Sequence, residues 1–441
     1  MTKACLTPQL LHIPSQFLQN MNKIITLLFL LFLIVLPSQA QDFDQYFEDN
    51  TLRLDYIFAG NDSIQQIYIE HLYKQPQWAG RRARLSEKFL QGNGQLTVRD
   101  HDTQEVIYVW TFSTLFQEWL NENEAKQVSR AFECSYNIPY PKAPVDINIT
   151  LTDKHSKVCT SLTHSVDPKD ILIRPIGNTG IPYRYVWKGN SEKREGQNDR
   201  MNGENVNLAD CIDLAILAEG YTEAEMDKFY KDCERSVDAL FEYEPFRSLK
   251  DRFNVVAVAA PSRDSGPSVP GKQDWKNTAS QTHYDTFYSD RYLTSQDMHR
   301  IYDLLADVPF EHIMVLVNTE KYGGGGIYNQ VTFASSDHPT FKEVFVHEFG
   351  HSYGGLGDEY AYDDMDTVWY PADTEPWEPN ITTLHDFQSK WADMMDIQGV
   401  GIFEGAGYQT KGCYRPADDC RMKTNQAPTF CPVCTRAIRR I

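Results

Sequence analysis

Hydrophobic and polar positions divide the chain into two stretches of different rhythm. From residue 42 to about 165, short runs rich in β-branched and aromatic residues recur: Leu52–Phe58, Ser63–Leu72, Gln95–Arg99, Val106–Phe112 and Val145–Leu151. Polar, glycine-containing breaks separate them, which predicts strands joined by turns. Many short strands without a helical period predict a small β-sandwich. The second half reads differently. Ile212–Leu217 is a continuous apolar strand, and Thr222-Glu223-Ala224-Glu225 opens a helix, with Thr222 as N-cap and Glu225 closing a capping box. Phe229, Val237, Leu240 and Phe241 carry the apolar face of that helix. Phe253–Ala259 and His312–Val317 are further strands, Ile327–Ala334 a fourth, and Ser295–Leu305 a helix with Thr294 as N-cap. Strand–helix–strand order predicts an α/β domain around a largely parallel, mixed sheet. A terminal helix starts at Pro432.

The change of rhythm divides the chain into a leader and signal segment (1–40), a β-sandwich domain (41–165), a linker (166–205) and a second domain (206–441). The polar stretch from Lys188 to Asn205 belongs to the linker. A chain of 441 residues exceeds what one core usually organises. Met21-Asn22-Lys23, the apolar run Ile24–Leu36 and the small residues Ser38 and Ala40 form a secretory signal, with cleavage after Ala40. The apolar run is too short to span a bilayer comfortably, so no stable membrane anchor is expected after cleavage. The expected location is secreted, periplasmic or cell-surface.

Hydrophobic residues make up 41% of the chain, enough for real cores. The net charge of −19, with no Lys/Arg-rich run in the mature chain, argues against nucleic acid as a partner. Once the leader with Cys5 is removed, an even set of cysteines remains: 134, 159, 211, 233, 413, 420, 431 and 434. In an exported chain such a set predicts disulfides. Cys413, Cys420, Cys431 and Cys434 offer the alternative of a structural zinc site, since Cys431-Pro432-Val433-Cys434 has ligand spacing.

The chemistry concentrates in the run from Val344 to Tyr360. His347 and His351 are four apart, which on a helix stacks both imidazoles on one face. Two such rings can grip one Zn²⁺, and Glu348 sits where its carboxylate reaches a water on the metal. Pro339 suits the first helical position, Phe341, Val344 and Phe345 supply a buried face, and Gly354 and Gly355 end the helix. Zinc requires a third protein ligand. Asp358 is the first candidate, because the glycines after the helix let the chain turn back, and Glu359 is the second. Glu375 and Glu378 lie among prolines that disfavour a later ligand helix. Tyr360 and Tyr414 are candidates for stabilising an oxyanion. Gly323–Gly326 follow a strand without the Lys-Ser/Thr of a phosphate loop; they are expected to let substrate backbone approach Ile327–Ala334 as an edge strand. His283, His312, His338 and His385 have no partner spacing.

The run His347–Tyr360, together with Ala218-Glu219-Gly220-Tyr221-Thr222, resembles the bacterial M64 metallopeptidase family often labelled IgA peptidases. The likeness extends over the mature chain. It implies a metzincin-like catalytic fold, where HExxHxxGxxH, or an aspartate in the last place, holds the metal. His347, Glu348, His351 and Gly354 match that pattern; Gly357 stands at the ligand place, and Asp358 follows it. The resemblance also implies a methionine turn beneath the zinc, for which Met422 is the candidate, ahead of Met394 and Met395. The expected function is zinc-dependent cleavage of a protein or peptide substrate with Glu348 as general base. The alternative is a surface glycan- or protein-binding module with a catalytically silent peptidase fold. The intact Glu348 argues against silence, and the family label does not fix the substrate.

Overall fold

The computed structural model describes residues 43–189, 200–201, 204–205, 208, 210–363 and 368–441. The signal segment 1–40, and the polar stretch 190–199 within the expected linker, lie outside the described residues.

The N-terminal region is built on two four-stranded sheets. β1 (Phe47–Gly60), β2 (Gln65–Pro76), β3 (Gly94–Asp100), β4 (Val106–Phe112), β5 (Arg130–Pro141), β6 (Val145–Thr152) and β7 (Val158–Val166) supply seven of the eight strands. One sheet runs β5-β1-β2 and ends on the short Arg174–Pro175; the other runs β4-β3-β6-β7. Pairing is antiparallel apart from Arg174–Pro175 on β2. The period of two is plain in β6, where Val145, Ile147, Ile149 and Leu151 turn inward and the residues between do not. A single turn of helix, α1 (Leu115–Trp119), capped by Thr114, links β4 to β5.

A six-stranded sheet organises the rest. Its members are β8 (Tyr183–Trp187), β9 (Ile212–Glu219), β10 (Phe253–Val258), β11 (His312–Val317), β12 (Gly324–Ile327) and β13 (Val331–Ser335), in the order β12-β13-β11-β9-β10-β8. The four central strands are parallel and the two edges antiparallel. The expected strand Ile327–Ala334 is instead a hairpin: Gly324–Ile327 turns at Tyr328-Asn329-Gln330 and returns as Val331–Ser335. The capping box on Thr222 and Glu225 forms and leads into α2 (Met226–Glu242). The helix expected over Ser295–Leu305 is shorter, α3 (Met298–Leu304), with Asp297 before it; the Thr294 hydroxyl is engaged by Thr286. Next come α4 (Phe341–Gly354), the hairpin of β14 (Phe403–Ala406) and β15 (Gln409–Arg415), and α5 (Pro432–Arg440). Pro339 precedes α4 instead of opening it; Thr340 is its N-cap.

The continuous apolar character of the central strands follows from burial on both faces. Leu214, Ile216, Val255, Met314 and Leu316 pack on one face against Phe229 and Leu240 of α2 and Phe345 and Phe349 of α4. Ala215, Leu217, Val256, Val315 and Phe333 point the other way and share one core with Leu54, Phe58 and Ile149 of the N-terminal sheets. Asp42–Ile441 is accordingly one compact unit.

No disulfide forms between the described residues. Cys134 lies in the core of the N-terminal sheets, Cys233 lies between α2 and the central sheet, and Cys413 packs against Ile381 and Ala406. These three cysteines occupy separate packing environments, so their number carries no pairing. Among the described residues no helix is long and apolar enough to cross a membrane.

Candidate metal centre

α4 carries His347, Glu348 and His351 on one face, the side that meets the edge strand β12. Phe345 and Phe349 are buried on the opposite side, and the 3.6-residue period leaves both imidazoles half-buried. The two rings lie with centroids 4.7 Å apart, nearly perpendicular, and their Nε2 atoms are 3.0 Å apart. The helix stops at Gly355, whose φ of 58° is the left-handed conformation of a helix C-cap. The chain then turns back. Asn380 holds Gly357 at both its N–H and its carbonyl, and Asp358 comes to face the rings. Asp358 Oδ1 lies 3.1 Å from His347 Nε2 and 3.2 Å from His351 Nε2.

The donor chemistry of this triangle is restrictive. His347 Nδ1 donates to the Arg421 carbonyl and His351 Nδ1 to the Leu356 carbonyl. A carbonyl only accepts, so in each neutral ring the proton is on Nδ1 and Nε2 presents a lone pair. Two imidazole lone pairs and a buried carboxylate oxygen, Asp358 Oδ1, which has no hydrogen-bond partner, therefore converge on one point. Only a cation satisfies all three. Zinc ligands at about 2.0–2.1 Å in tetrahedral array stand about 3.3 Å apart, close to these separations. The residues thus fit a zinc ion with three protein ligands. Without a metal, a proton takes its place: burial opposes charge on His351, but Asp358 outweighs it and pushes the pKa up to about 9. Burial likewise opposes charge on Asp358, yet His351 and His347 hold it well below the usual carboxylate range.

Glu348 points at the edge strand: a side chain on Gly324 would meet its carboxylate at 2.7 Å. Burial raises its pKa, and the two histidines partly offset that rise. A Cβ on Gly326 would meet the Glu348 carbonyl at 2.4 Å. Gly324 and Gly326 thus admit α4 against β12, while Gly323 and Gly325 lie against Tyr284, Tyr292 and the Arg291 and Leu293 carbonyls, a role different from the expected approach of substrate backbone. The edge at Gly324 is itself already paired with Arg291 and Leu293.

The other candidates separate in space. Glu359 turns away from the rings toward Asn380 and Cys434, since alternate side chains of an extended segment face opposite ways. The Tyr360 ring stacks near His347 at 6.4 Å, and the Arg291 guanidinium lies over the Tyr360 ring, 5.8 Å from its centre. Tyr414 pairs with Thr382 along the β15 backbone. Met422 is fully buried, and its sulfur would lie 2.8 Å from a Cβ on Gly350, between the two histidines in sequence. It sits directly beneath the helix. Glu375 takes Lys390 as its partner and Glu378 accepts from Tyr370. His312 is buried against Phe349 and Tyr353, where burial pushes its pKa down to about 4.

Several supporting groups had no sequence signal. Tyr408, at the tip of the β14–β15 hairpin, donates to Asp358 Oδ2, and the Gly407 N–H donates to the Asp358 carbonyl. Arg421 and Leu356 act through backbone carbonyls, which no residue type encodes. Glu118 reaches the neighbourhood from α1 through a hydrogen bond from Tyr292.

The family model for IgA Peptidase M64 matches residues 203–399 and 397–441, and the model for the Peptidase M64 N-terminus matches residues 42–163. A search of curated proteins returned no match.

Proposed function

The chain belongs to the IgA peptidase M64 family, and from that premise we propose that it is an exported zinc-dependent endopeptidase with a metzincin-like catalytic centre. The observation that carries this reading is the convergence of His347, His351 and Asp358 on one point, with Glu348 next to the first ligand. In this reading His347, His351 and Asp358 hold Zn²⁺, residues 206–441 form the catalytic domain, and residues 41–165 an accessory β-sandwich; the expected linker 166–205 is partly structural, lending Arg174–Pro175 to the N-terminal sheet and β8 to the central one. Bound zinc supplies Lewis acidity toward water and the scissile carbonyl.

The chain's own groups do the rest. Glu348, with a pKa raised by burial, accepts a proton from the attacking water and hands it to the leaving amine. Tyr408 and the Asn380 clasp orient Asp358; the Arg421 and Leu356 carbonyls fix the ring tautomers. Tyr360, whose ring stacks near His347, is the candidate to meet developing negative charge on the carbonyl oxygen. Met422 packs under the helix and ligates nothing. Export rests on the signal segment that ends at Ala40. Family membership and the intact Glu348 disfavour the alternative of a silent binding module.

The test is hydrolysis of a broad peptide library by the purified mature chain, before and after chelator treatment and zinc restoration. Cleavage abolished by chelator and restored by zinc is expected. Cleavage that survives complete metal removal sinks the reading.

A further inference from the structure

Behind the histidine centre lies a second group of ligating side chains that the peptidase mechanism does not use. Glu359, Cys420, Cys431 and Cys434 are buried, and one ligand atom from each lies within 4.8 Å of every other. We propose that they form a second metal site, a structural zinc centre of three thiolates and one carboxylate.

The spacing suits the ion. Zinc–sulfur bonds of about 2.3 Å in tetrahedral array place two sulfurs about 3.8 Å apart. Cys420 Sγ and Cys434 Sγ are 3.8 Å apart, and Cys434 Sγ lies 3.0 Å from Glu359 Oε1.

The electrostatics also suit a cation. Glu359 is completely buried, its Oε2 has no hydrogen-bond partner, and it makes no ion pair with any described residue. Hydrogen bonds reach only its other oxygen, so the ionised carboxylate calls for a cation, and without one it takes up a proton. The surrounding donors are those that anionic ligands need. The Cys431 N–H points at Cys420 Sγ, the Cys434 N–H at Cys431 Sγ, and Asn380 Nδ2 donates to Glu359. Cys431 is the N-cap of the nine-residue α5, with Pro432 at its first position, so two of the thiols sit at the positive end of a helix.

A disulfide explains the group less well. Three sulfurs are an odd number, and joining any two leaves a thiol and the unpartnered carboxylate behind. Cys413, the fourth member that sequence spacing suggests, is elsewhere, and Glu359 occupies its place.

The site ties together the segments that back the histidine centre. Glu359 follows Asp358, and its N–H donates to the Met422 carbonyl. Cys420 precedes Arg421, whose carbonyl holds His347. Cys431 and Cys434 belong to the C-terminal helix. A metal here staples the ligand loop, the methionine segment and α5 into one wall. Binding releases the thiol protons to solvent.

Metal counting on the full mature chain, purified with a reductant, tests this independently of peptidase activity. Two zinc equivalents are expected in wild type and one in the His347→Ala/His351→Ala variant. Cobalt substituted into that variant should give an intense thiolate-to-cobalt charge-transfer band. Cys434→Ser should lose one equivalent and, if folded, the band. No metal and no band in the double-histidine variant, or a Cys420–Cys434 disulfide found by mass spectrometry of protein purified without reductant, overturns the proposal. One equivalent with the thiolate band in the histidine variant upholds it even if wild type cleaves no peptide.

Discussion

The histidine centre depends on single atoms, and its sharpest consequences lie with single side chains. Glu348→Gln keeps size and polarity but removes the carboxylate proposed as base. It should leave zinc content unchanged and lower kcat by about 10²–10⁴-fold; metal analysis beside turnover checks both, and an undiminished kcat removes Glu348 from the reaction. Tyr408→Phe deletes only the hydroxyl that donates to Asp358 Oδ2. It should weaken zinc affinity by about 10–100-fold, measured by competition with a chromophoric chelator, and unchanged affinity means Asp358 needs no help from the hairpin. Residue types reveal His347, Glu348 and His351 because their spacing is itself the chemistry. They rank Asp358 ahead of Glu359 as the third ligand without showing which of the two faces the rings. Only the Asn380 clasp, which sets the phase of the extended segment, decides which carboxylate meets the rings.

At the level of elements, the contact between α4 and the edge strand β12 sets where Glu348 stands. Gly326→Ala drives a methyl group into the Glu348 carbonyl, so helix and strand must part. A loss of about 1–3 kcal/mol is expected from such overpacking, read by chemical denaturation; a neutral change shows the helix to be less tightly held. The short helix α1 has a different signature. Burial pushes Glu118 from the usual 4.5 up to about 7, while Tyr292 and His351 pull it back. With its folded pKa above the unfolded one, its contribution is full below about pH 4.5 and is lost as pH rises toward 7. Glu118→Gln does not ionise. In metal-free protein its stability relative to wild type should climb across that window and then level off, by no more than about 3 kcal/mol. Parallel pH profiles would exclude a buried Glu118.

For the molecule as a whole, the N-terminal sheets are the cover of the central sheet's second face. Arg53 on β1 is buried, paired with Asp55, and reaches Asp303 and the His299 carbonyl on α3. Arg53→Ala strands the buried Asp55 and should cost about 3–5 kcal/mol, seen as a lower unfolding midpoint for the entire chain. A fragment 206–441 exposes Leu217, Val256, Val315 and Phe333 and should aggregate on gel filtration; a monodisperse, folded fragment contradicts that dependence. The apolar runs of β9 to β11 already announced strands buried on both sides, because their period leaves no face for water. What covers the second face was not legible, since an apolar residue records burial and not its partner. The spacing of the two histidines, the capping box at Thr222 and the alternation in β6 are local, and local geometry suffices to read them. Register, the return of Asp358 to the rings, and the exchange of Cys413 for Glu359 in the second cluster were decided only when segments distant in sequence packed together, Asn380 on Gly357 and Cys420, Cys431 and Cys434 on Glu359. A side chain's type states which bonds it can make; the packing of the chain determines which atoms come within reach.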